Sequence, residues 1–156
     1  MSKNIIEVDP DKFPWLDLRR YTFCLAAENS GIVYLSGQTA SEYDPDSGKV
    51  VCKGDLLNQT RVIYEKLGVI LEAAGLSFDN VVQTVDYVDP VALPQYRQTG
   101  EIRRQYLGGT PVGSTGFCVE RLLRPAPVLE PEDHDWQAFA ARFPYSETDD
   151  QQAAIE

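Results

Sequence analysis

The sequence predicts an α+β fold in which two helices cover one face of a mixed β-sheet. The predicted order of segments is two strands, a helix, a strand, a second helix and two further strands. Residues 55–74 repeat apolar side chains at helical spacing, whereas the strand segments are short and are bounded by Gly, Asn and Pro. A chain of 156 residues fits one domain and is long enough to bury a core without disulfides.

The first two strands are predicted to form an antiparallel hairpin. Residues 21–28 and 32–37 flank an Asn-Ser-Gly turn at residues 29–31, which is typical of a tight connection. The second strand ends at Ser36 and Gly37, where a hydroxyl and a backbone without a Cβ are open to a ligand. The pattern alone favours an ordinary strand end, and a binding role is the alternative.

Two helices are predicted in the middle of the chain. The first covers residues 55–74, with Asp55 as its N-cap and Gly75 as its stop signal. The second covers residues 93–107 and has Pro94 in its first turn, where no backbone N–H is needed. The remaining strands are predicted at residues 81–88, 114–120 and 128–130, and a short strand at residues 49–52 is an alternative to a continuous polar loop there.

The composition divides the chain into three parts. Residues 1–20 are predicted to be an N-terminal extension, in which Phe13 and Trp15 pack onto the body. Residues 21–132 form the predicted domain, and residues 133–156 form an acidic tail. The tail and the three residues before it contain eight acidic residues and one arginine, so this end carries most of the net charge of −10.

The charge and the apolar pattern exclude several classes of partner. A net charge of −10 and a pI of about 4.5 repel phosphate backbones, so we expect no nucleic-acid partner. No apolar run approaches the roughly 20 residues that span a bilayer, and the first residues do not resemble a signal peptide. Cys24, Cys52 and Cys118 lack metal-binding spacing, and His134 is the only histidine. We therefore expect a cytoplasmic protein with reduced thiols and no bound metal.

An ordered set of short motifs resembles the Rid family, the reactive intermediate deaminases that are also called YjgF-type proteins. In chain order these motifs are Tyr34-Leu35-Ser36-Gly37-Gln38, Gln59-Thr60-Arg61, Leu71-Glu72-Ala73-Ala74-Gly75, Asp79-Asn80-Val81-Val82 and Leu123-Arg124-Pro125. The resemblance covers roughly residues 21–132. It implies a chorismate-mutase-like sandwich that forms a homotrimer, with a ligand cleft between each pair of neighbouring subunits.

The resemblance also implies an activity. A typical Rid protein hydrolyses a reactive enamine or imine, such as 2-aminoacrylate, to a keto acid and ammonia, and it needs no metal or organic cofactor. Some relatives act on aminomuconates in aromatic ring cleavage. Part of the family has been called ribonuclease, and the negative charge of this chain argues against that activity.

Particular site residues follow from the resemblance. It places Tyr21 at an active-site tyrosine, and Ser36 and Gly37 at the strand end that faces the ligand. It places Glu130 at the glutamate that holds the attacking water, although a solvated carboxylate at the start of the acidic tail is the alternative. Ser114 stands where the deaminases of the family have an arginine that binds the substrate carboxylate.

The replacement at Ser114 changes what the site can bind. Ser114, Thr115 and Gly116 offer hydroxyls and backbone N–H groups to an anion or a carbonyl oxygen. A charge-assisted arginine contact contributes about 1.5–3 kcal/mol, so its loss without compensation weakens binding roughly tenfold or more. Four arginines are candidates for the missing charge, although each is also typical of a surface ion pair: Arg19, Arg20, Arg103 and Arg104. Of these four, Arg103 is the one predicted to bind substrate.

Three functions remain open at this point. The first is a cofactor-free hydrolytic deaminase of an enamine or imine other than the usual 2-aminoacrylate. The second is a specialised pathway enzyme that acts on an aromatic ring-cleavage or biosynthetic intermediate. The third is a regulatory protein that binds a small molecule in the cleft without chemistry.

Overall fold

A computed structural model describes residues 3–108 and 111–119. In this part of the chain, seven strands form three hydrogen-bonded sheets. The sheets are β1 (Asn4–Ile6), β2 (Ala26–Asn29) and β3 (Ile32–Leu35); β4 (Ser41–Asp44) and β5 (Lys49–Cys52); and β6 (Gln83–Val88) and β7 (Gly113–Cys118). The helices are α1 (Leu56–Ala73), α2 (Leu93–Tyr96) and α3 (Thr99–Leu107). The predicted α+β class is confirmed, although the described strands do not form one continuous sheet.

The predicted hairpin is confirmed as β2 and β3. The strands pair antiparallel, with Ala26 opposite Leu35. Ser30 and Gly31 have φ angles of 56° and 80°, and two positive φ angles in a two-residue loop match the right-handed twist of the strands. The first strand begins at Ala26 and not at residue 21, because the segment before it runs as turns and bends.

Part of the predicted N-terminal extension belongs to the sheet and its core. β1 pairs antiparallel with β2, with Ile5 opposite Ala27. Phe13 is 1% exposed and its ring lies edge-on to Trp15, with 5.2 Å between centroids, so the predicted packing of both side chains is confirmed. The buried residues at the centre of this core come from the N-terminal segment, from β2 with the residue before it, and from α1: Phe13, Leu25, Ala26 and Ile70.

Helix α1 begins and ends where the sequence predicts. The carboxylate of Asp55 accepts a hydrogen bond from the backbone N–H of Asn58 at 2.9 Å, which satisfies a donor at the helix start. Gly75 follows the helix end with a φ of 70°, a conformation that glycine adopts without strain. No helix in the part of the chain that the structure describes is long and apolar enough to cross a membrane.

The buried surface of α1 is wider than the predicted apolar stripe. Tyr64 and Lys66 are buried together with Ile70, although neither belongs to that stripe. Gly68 of the same helix faces Phe78. A Cβ at this position would lie 3.4 Å from the Phe78 ring. The helix therefore packs on an aromatic side chain as well as on the sheet.

The predicted second helix is divided into α2 and α3. The hydroxyl of Thr99 donates to the backbone oxygen of Tyr96 at 2.7 Å, so the side chain occupies an acceptor of the last turn of α2. The N–H of Gly100 bonds the oxygen of Arg97, a tighter i−3 pattern that separates the two helices. α3 then buries Ile102 against the body.

Strands β6 and β7 are parallel and present two different faces. Their register places Thr84 beside Ser114 and Asp86 beside Gly116. Because side chains alternate along a strand, these four positions share one face. Hydrogen bonds to Arg103 show that this face lies toward α3. The other face is exposed and apolar at Val85, Tyr87 and Phe117.

Candidate functional site

A polar cluster lies where α3 crosses β6 and β7. We call it the Arg103 cluster, and its members are Thr84, Asp86, Tyr96, Arg103 and Ser114. Nη2 of Arg103 donates to Oγ of Ser114 at 2.7 Å and to Oγ1 of Thr84 at 2.9 Å. Nη1 of Arg103 donates to Oδ2 of Asp86 and forms an ion pair with it. The guanidinium is therefore held directly against Ser114.

Tyrosine hydroxyls complete the surroundings of the ion pair. The hydroxyl of Tyr96 donates to Oδ2 of Asp86 at 3.0 Å. Burial raises the pKa of Tyr96, and its hydrogen bond to Asp86 raises the pKa further. Burial also raises the pKa of Tyr64. The charge of Arg103 lowers that pKa, and the charge of Asp86 raises it. Both phenols are therefore neutral at physiological pH, and each keeps a proton to donate.

Gly116 allows Tyr96 to reach the strand. A Cβ at position 116 would lie only 2.9 Å from the Tyr96 hydroxyl oxygen, closer than real Cβ contacts. The space above β7 at this point is therefore filled by an aromatic side chain from α2. Residues 114–116, which were predicted together as donors to a ligand, therefore do not share one face of β7. Ser114 and Gly116 face α3, whereas Thr115 lies beside Val85 on the opposite face.

Ser36 and Gly37 lie in a different sheet from the Arg103 cluster. The hydroxyl of Ser36 donates to the backbone oxygen of Cys24 at 2.6 Å, and its N–H donates to Leu25 at 2.8 Å. These bonds give Ser36 a structural role at the end of β3. The space beside Gly37 is open, because nothing lies within 4 Å of the position that a Cβ would occupy.

Tyr21 faces the N-terminal segment. Its backbone N–H closes a 3₁₀ turn on Leu18, and its ring packs on Phe23 with 5.1 Å between centroids. It lines a cavity of about 370 Å³ together with Phe13 and other residues of that segment. Glu130, the predicted holder of the attacking water, lies outside the described residues.

The arginine candidates differ in what they contact. Arg104 bonds Glu101 at 2.6 Å, and Arg19 bonds Asp17 at 2.8 Å. Both of these arginines are exposed, as expected for surface ion pairs. The side chain of Arg20 lies outside the described part. Of the three candidates whose side chains are described, Arg103 is the one that reaches Ser114.

Lys66 is a buried cation that the sequence did not predict. Its side chain is fully buried, and Nζ donates to the backbone oxygens of Thr39, at 2.9 Å, and of Ser41. The ammonium lies 5.7 Å from the ring centroid of Trp15. Burial lowers the pKa of Lys66 to about 8. The lysine thus fastens the loop that follows Gly37 to α1.

A larger open cavity of about 620 Å³ lies along α1. Three aromatic rings pack together beside it, with centroid distances of 5.1 to 5.8 Å: Tyr64, Phe78 and Tyr106. Among the described residues that line it, the ionisable side chains besides the tyrosines are Glu65 and Glu72. Within residues 3–108 and 111–119, no group of His, Cys, Asp or Glu side chains has the arrangement of a metal site.

Sequence reasoning missed three members of the Arg103 cluster: Thr84, Asp86 and Tyr96. One signal was present in the strand. Thr84 and Asp86 lie on the same face of β6 as Val88, which is buried. Two polar side chains therefore occupy the inner face of an otherwise apolar strand. Such an arrangement requires hydrogen-bonding partners. It predicts a partner from the covering helix, and Arg103 is that partner.

Comparisons with known proteins agree with this fold. The chain belongs to the family described as Endoribonuclease L-PSP, to which the RutC and Rid proteins also belong, and the family model matches residues 18–122. It is 31% identical over 104 residues to a RutC family protein of Pyrococcus horikoshii. This match covers 67% of this chain and 77% of that protein. It is also 31% identical over 113 residues to a mouse protein named 2-iminobutanoate/2-iminopropanoate deaminase, covering 72% and 76% of the two chains.

A solved structure supports the same assignment. The Rid family protein YyfA of Yersinia pestis superposes with a TM-score of 0.62 and 26% identity. The superposition covers 78% of this chain and 89% of that one. The predicted membership of the Rid family is therefore confirmed.

Proposed function

We propose that this protein is a cofactor-free hydrolytic deaminase of an imine or enamine other than 2-aminoacrylate. The observation that carries the proposal is the 2.7 Å hydrogen bond from Arg103 to Ser114. It brings a guanidinium from α3 to Ser114, where the resemblance implies a substrate-binding arginine. This guanidinium is already paired with Asp86, which disfavours the carboxylate of the usual substrate. The family includes relatives named as deaminases of 2-imino acids, which supports the reaction type.

The proposed chemistry is hydrolysis of a carbon–nitrogen double bond. Water adds to the imine carbon, and the nitrogen takes up protons. The carbon–nitrogen bond then breaks, releasing ammonia and leaving the water oxygen in the new carbonyl group. Glu130 is proposed to orient the water and relay the proton, and Tyr21 to donate a hydrogen bond to the substrate. Ser114 and Arg103 hold the polar group at the other end of the substrate.

The proposed active unit is a homotrimer whose clefts lie between subunits. The outer face of β6 and β7 supports this proposal, because Val85, Tyr87 and Phe117 are exposed there. The rings of Tyr87 and Phe117 are stacked on each other with 5.7 Å between centroids. A monomer seldom leaves such an apolar face in water. A neighbouring copy that covers this apolar face would place its own Ser36, at the end of β3, in the cleft.

Light scattering tests the assembly directly. We expect the mass of a trimer at micromolar concentration, and a monomer for Tyr87→Glu, which places a charge in the proposed contact. Val91→Glu is the matched control and should leave the trimer intact, because Val91 is an exposed apolar side chain outside β6 and β7. A monomeric wild-type protein would remove the proposed cleft.

The proposed compartment and partners rest on chemistry. Cys24, Cys52 and Cys118 are free thiols, which supports a reducing cytoplasm. The net charge of −10 supports a small molecule and not a nucleic acid as the partner.

Ammonia release tests the proposed reaction. 2-Aminoacrylate is generated in place from serine by a dehydratase, and larger imines are generated from amino acids by an amino acid oxidase. We expect this protein to accelerate ammonia release from at least one larger imine more than from 2-aminoacrylate. No acceleration with any imine by the folded protein would refute the deaminase. Fastest turnover of 2-aminoacrylate would refute the proposed substrate difference alone.

A further inference from the structure

We propose that the Arg103 cluster binds a neutral amide oxygen of the substrate at the position where the usual substrate has a carboxylate. This inference rests on the proposed function, because it concerns the group that the same site recognises. Three features carry it: the charge of the cluster, the hydrogen bonds at Ser114 and the exposure of Ser114.

The charge of the cluster is already balanced. Arg103 forms its ion pair with Asp86, and the two side chains are 17% and 26% exposed. An arginine that binds a substrate carboxylate supplies an uncompensated positive charge to it. Here a second carboxylate brought to the guanidinium meets the negative charge of Asp86 at close range. Such like charges repel each other strongly where water is partly excluded.

The hydroxyl of Ser114 is directed to act as a donor. Its oxygen accepts a hydrogen bond from Arg103 at 2.7 Å and a longer one from Thr84 at 3.3 Å. A serine hydroxyl has two acceptor positions and one proton. Both acceptor positions face donors, so the remaining capacity of the group is to donate its proton. The charge of Arg103 polarises the hydroxyl and strengthens that donation.

The donor is accessible to a ligand. Ser114 is exposed on the face of β7 that lies toward α3. A neutral donor at a partly open edge matches a carbonyl oxygen, which accepts hydrogen bonds without carrying a full charge. The Asp86–Arg103 pair thus acts as a specificity element, because it holds the donor while cancelling the attraction for anions.

A matched pair of ligands tests this inference without any turnover. Pyruvate and pyruvamide have the same carbon skeleton, and they differ in having a carboxylate or a neutral amide. Binding of each to the full-length protein is measured by calorimetry at neutral pH. We expect pyruvamide to bind about tenfold more tightly, because Asp86 repels the carboxylate of pyruvate and does not repel the neutral amide. Equal or tighter binding of pyruvate, or no binding of pyruvamide, would overturn the inference.

Two variants locate the effect. Asp86→Asn removes the balancing charge, and we expect it to reverse the preference in favour of pyruvate. An unchanged ratio in the folded variant would contradict the inference. Ser114→Ala keeps the ion pair and is expected to weaken pyruvamide binding about fivefold with little change for pyruvate. Equal weakening of both ligands would contradict the donor role. Arg104→Gln is the control for a charge change on the same helix.

The outcome separates this inference from the proposed function. If the protein prefers pyruvamide but releases no ammonia from any imine, the amide-binding site is supported and the proposed deaminase activity is refuted. If the protein deaminates imines but prefers pyruvate, the proposed deaminase activity is supported and the preference for a neutral group is refuted.

Discussion

Arg103 and Lys66 are two cationic side chains that are largely or fully buried in this fold, and their surroundings differ. The guanidinium of Arg103 is paired with the carboxylate of Asp86 and keeps a partly open edge toward β7. The ammonium of Lys66 is fully buried and bonds the backbone oxygens of Thr39 and Ser41. One cation meets a full opposite charge, and the other meets carbonyl dipoles.

The difference assigns different roles to the two residues. An arginine stays protonated in any protein environment, and its planar donors fit several acceptors at once. Arg103 is therefore suited to hold a fixed hydrogen-bond geometry for a ligand. A buried lysine titrates more readily, and the pKa of Lys66 is lowered to about 8. Lys66 is suited to fastening the loop between β3 and β4, and its effect on the protein depends on pH.

The largest effect on stability is expected from Arg103→Gln. This change leaves the carboxylate of Asp86 without its ion pair, while Tyr96 still donates to it. Breaking a fully buried pair costs roughly 3–5 kcal/mol, and partial exposure reduces the expected loss to about 1–3 kcal/mol. Urea unfolding at pH 7 measures this loss. The control is Arg104→Gln, whose exposed ion pair should contribute little, and equal losses in the two variants would contradict the comparison.

A second prediction concerns the packing that holds Asp86 in place. Gly116→Ala puts a methyl group against the Tyr96 hydroxyl and should lower the unfolding free energy by about 1–3 kcal/mol. Adding Tyr96→Phe removes the hydroxyl and should recover part of the loss.

Gly37→Ala provides the control for the glycine substitution, because open space surrounds that position. We expect its unfolding free energy to stay close to that of the wild type. If both alanine variants lost the same amount, the close approach of Tyr96 to β7 would not be the cause.

A third prediction is the pH dependence due to Lys66. The pKa of Lys66 falls from 10.5 to about 8 on folding, because burial outweighs the opposite effects of Cys52 and Glu42. Between these values the unfolded chain binds more protons than the folded one, so stability should rise with pH. Below about pH 8 the lysine is charged in both states, and this contribution is constant.

Urea unfolding from pH 7 to pH 9.5 tests this sign. We expect Lys66→Met to lack the rise that the wild type shows, whereas Lys53→Met, at an exposed lysine, should keep it. The raised pKa values of Tyr64 and Tyr96 affect stability only above about pH 10, outside this range. Equal slopes for wild type and Lys66→Met would show that Lys66 is not the titrating group.

Local signals predicted much of the fold. The cap at Asp55, the stop at Gly75 and the turn at residues 29–31 each depend on neighbouring residues alone, and all three are found as predicted. β1 and β4 were missed, because each is a short strand whose apolar pattern is weak. Strands of this kind are specified by their partners, which lie elsewhere in the chain.

The two cations show why the site was only partly predictable. Arg103 was named as a candidate because the resemblance left a positive charge missing at Ser114. Its partner Asp86 was not named, since an acidic residue within a strand gives no information about the helix that covers it. Lys66 occupies a helix position that local pattern treats as solvent-exposed. Its burial depends on Thr39, 27 residues away, and on Trp15.

The most direct test of the central claim is the rate of ammonia release by Arg103→Gln and Arg104→Gln. The assay uses the imine that the wild type hydrolyses best, and it compares kcat/KM for the three proteins. If Arg103 positions the substrate through Ser114, its variant should lose on the order of 100-fold, and Arg104→Gln should stay within about twofold of wild type. Equal activity of the folded Arg103 variant and the wild type would contradict the account.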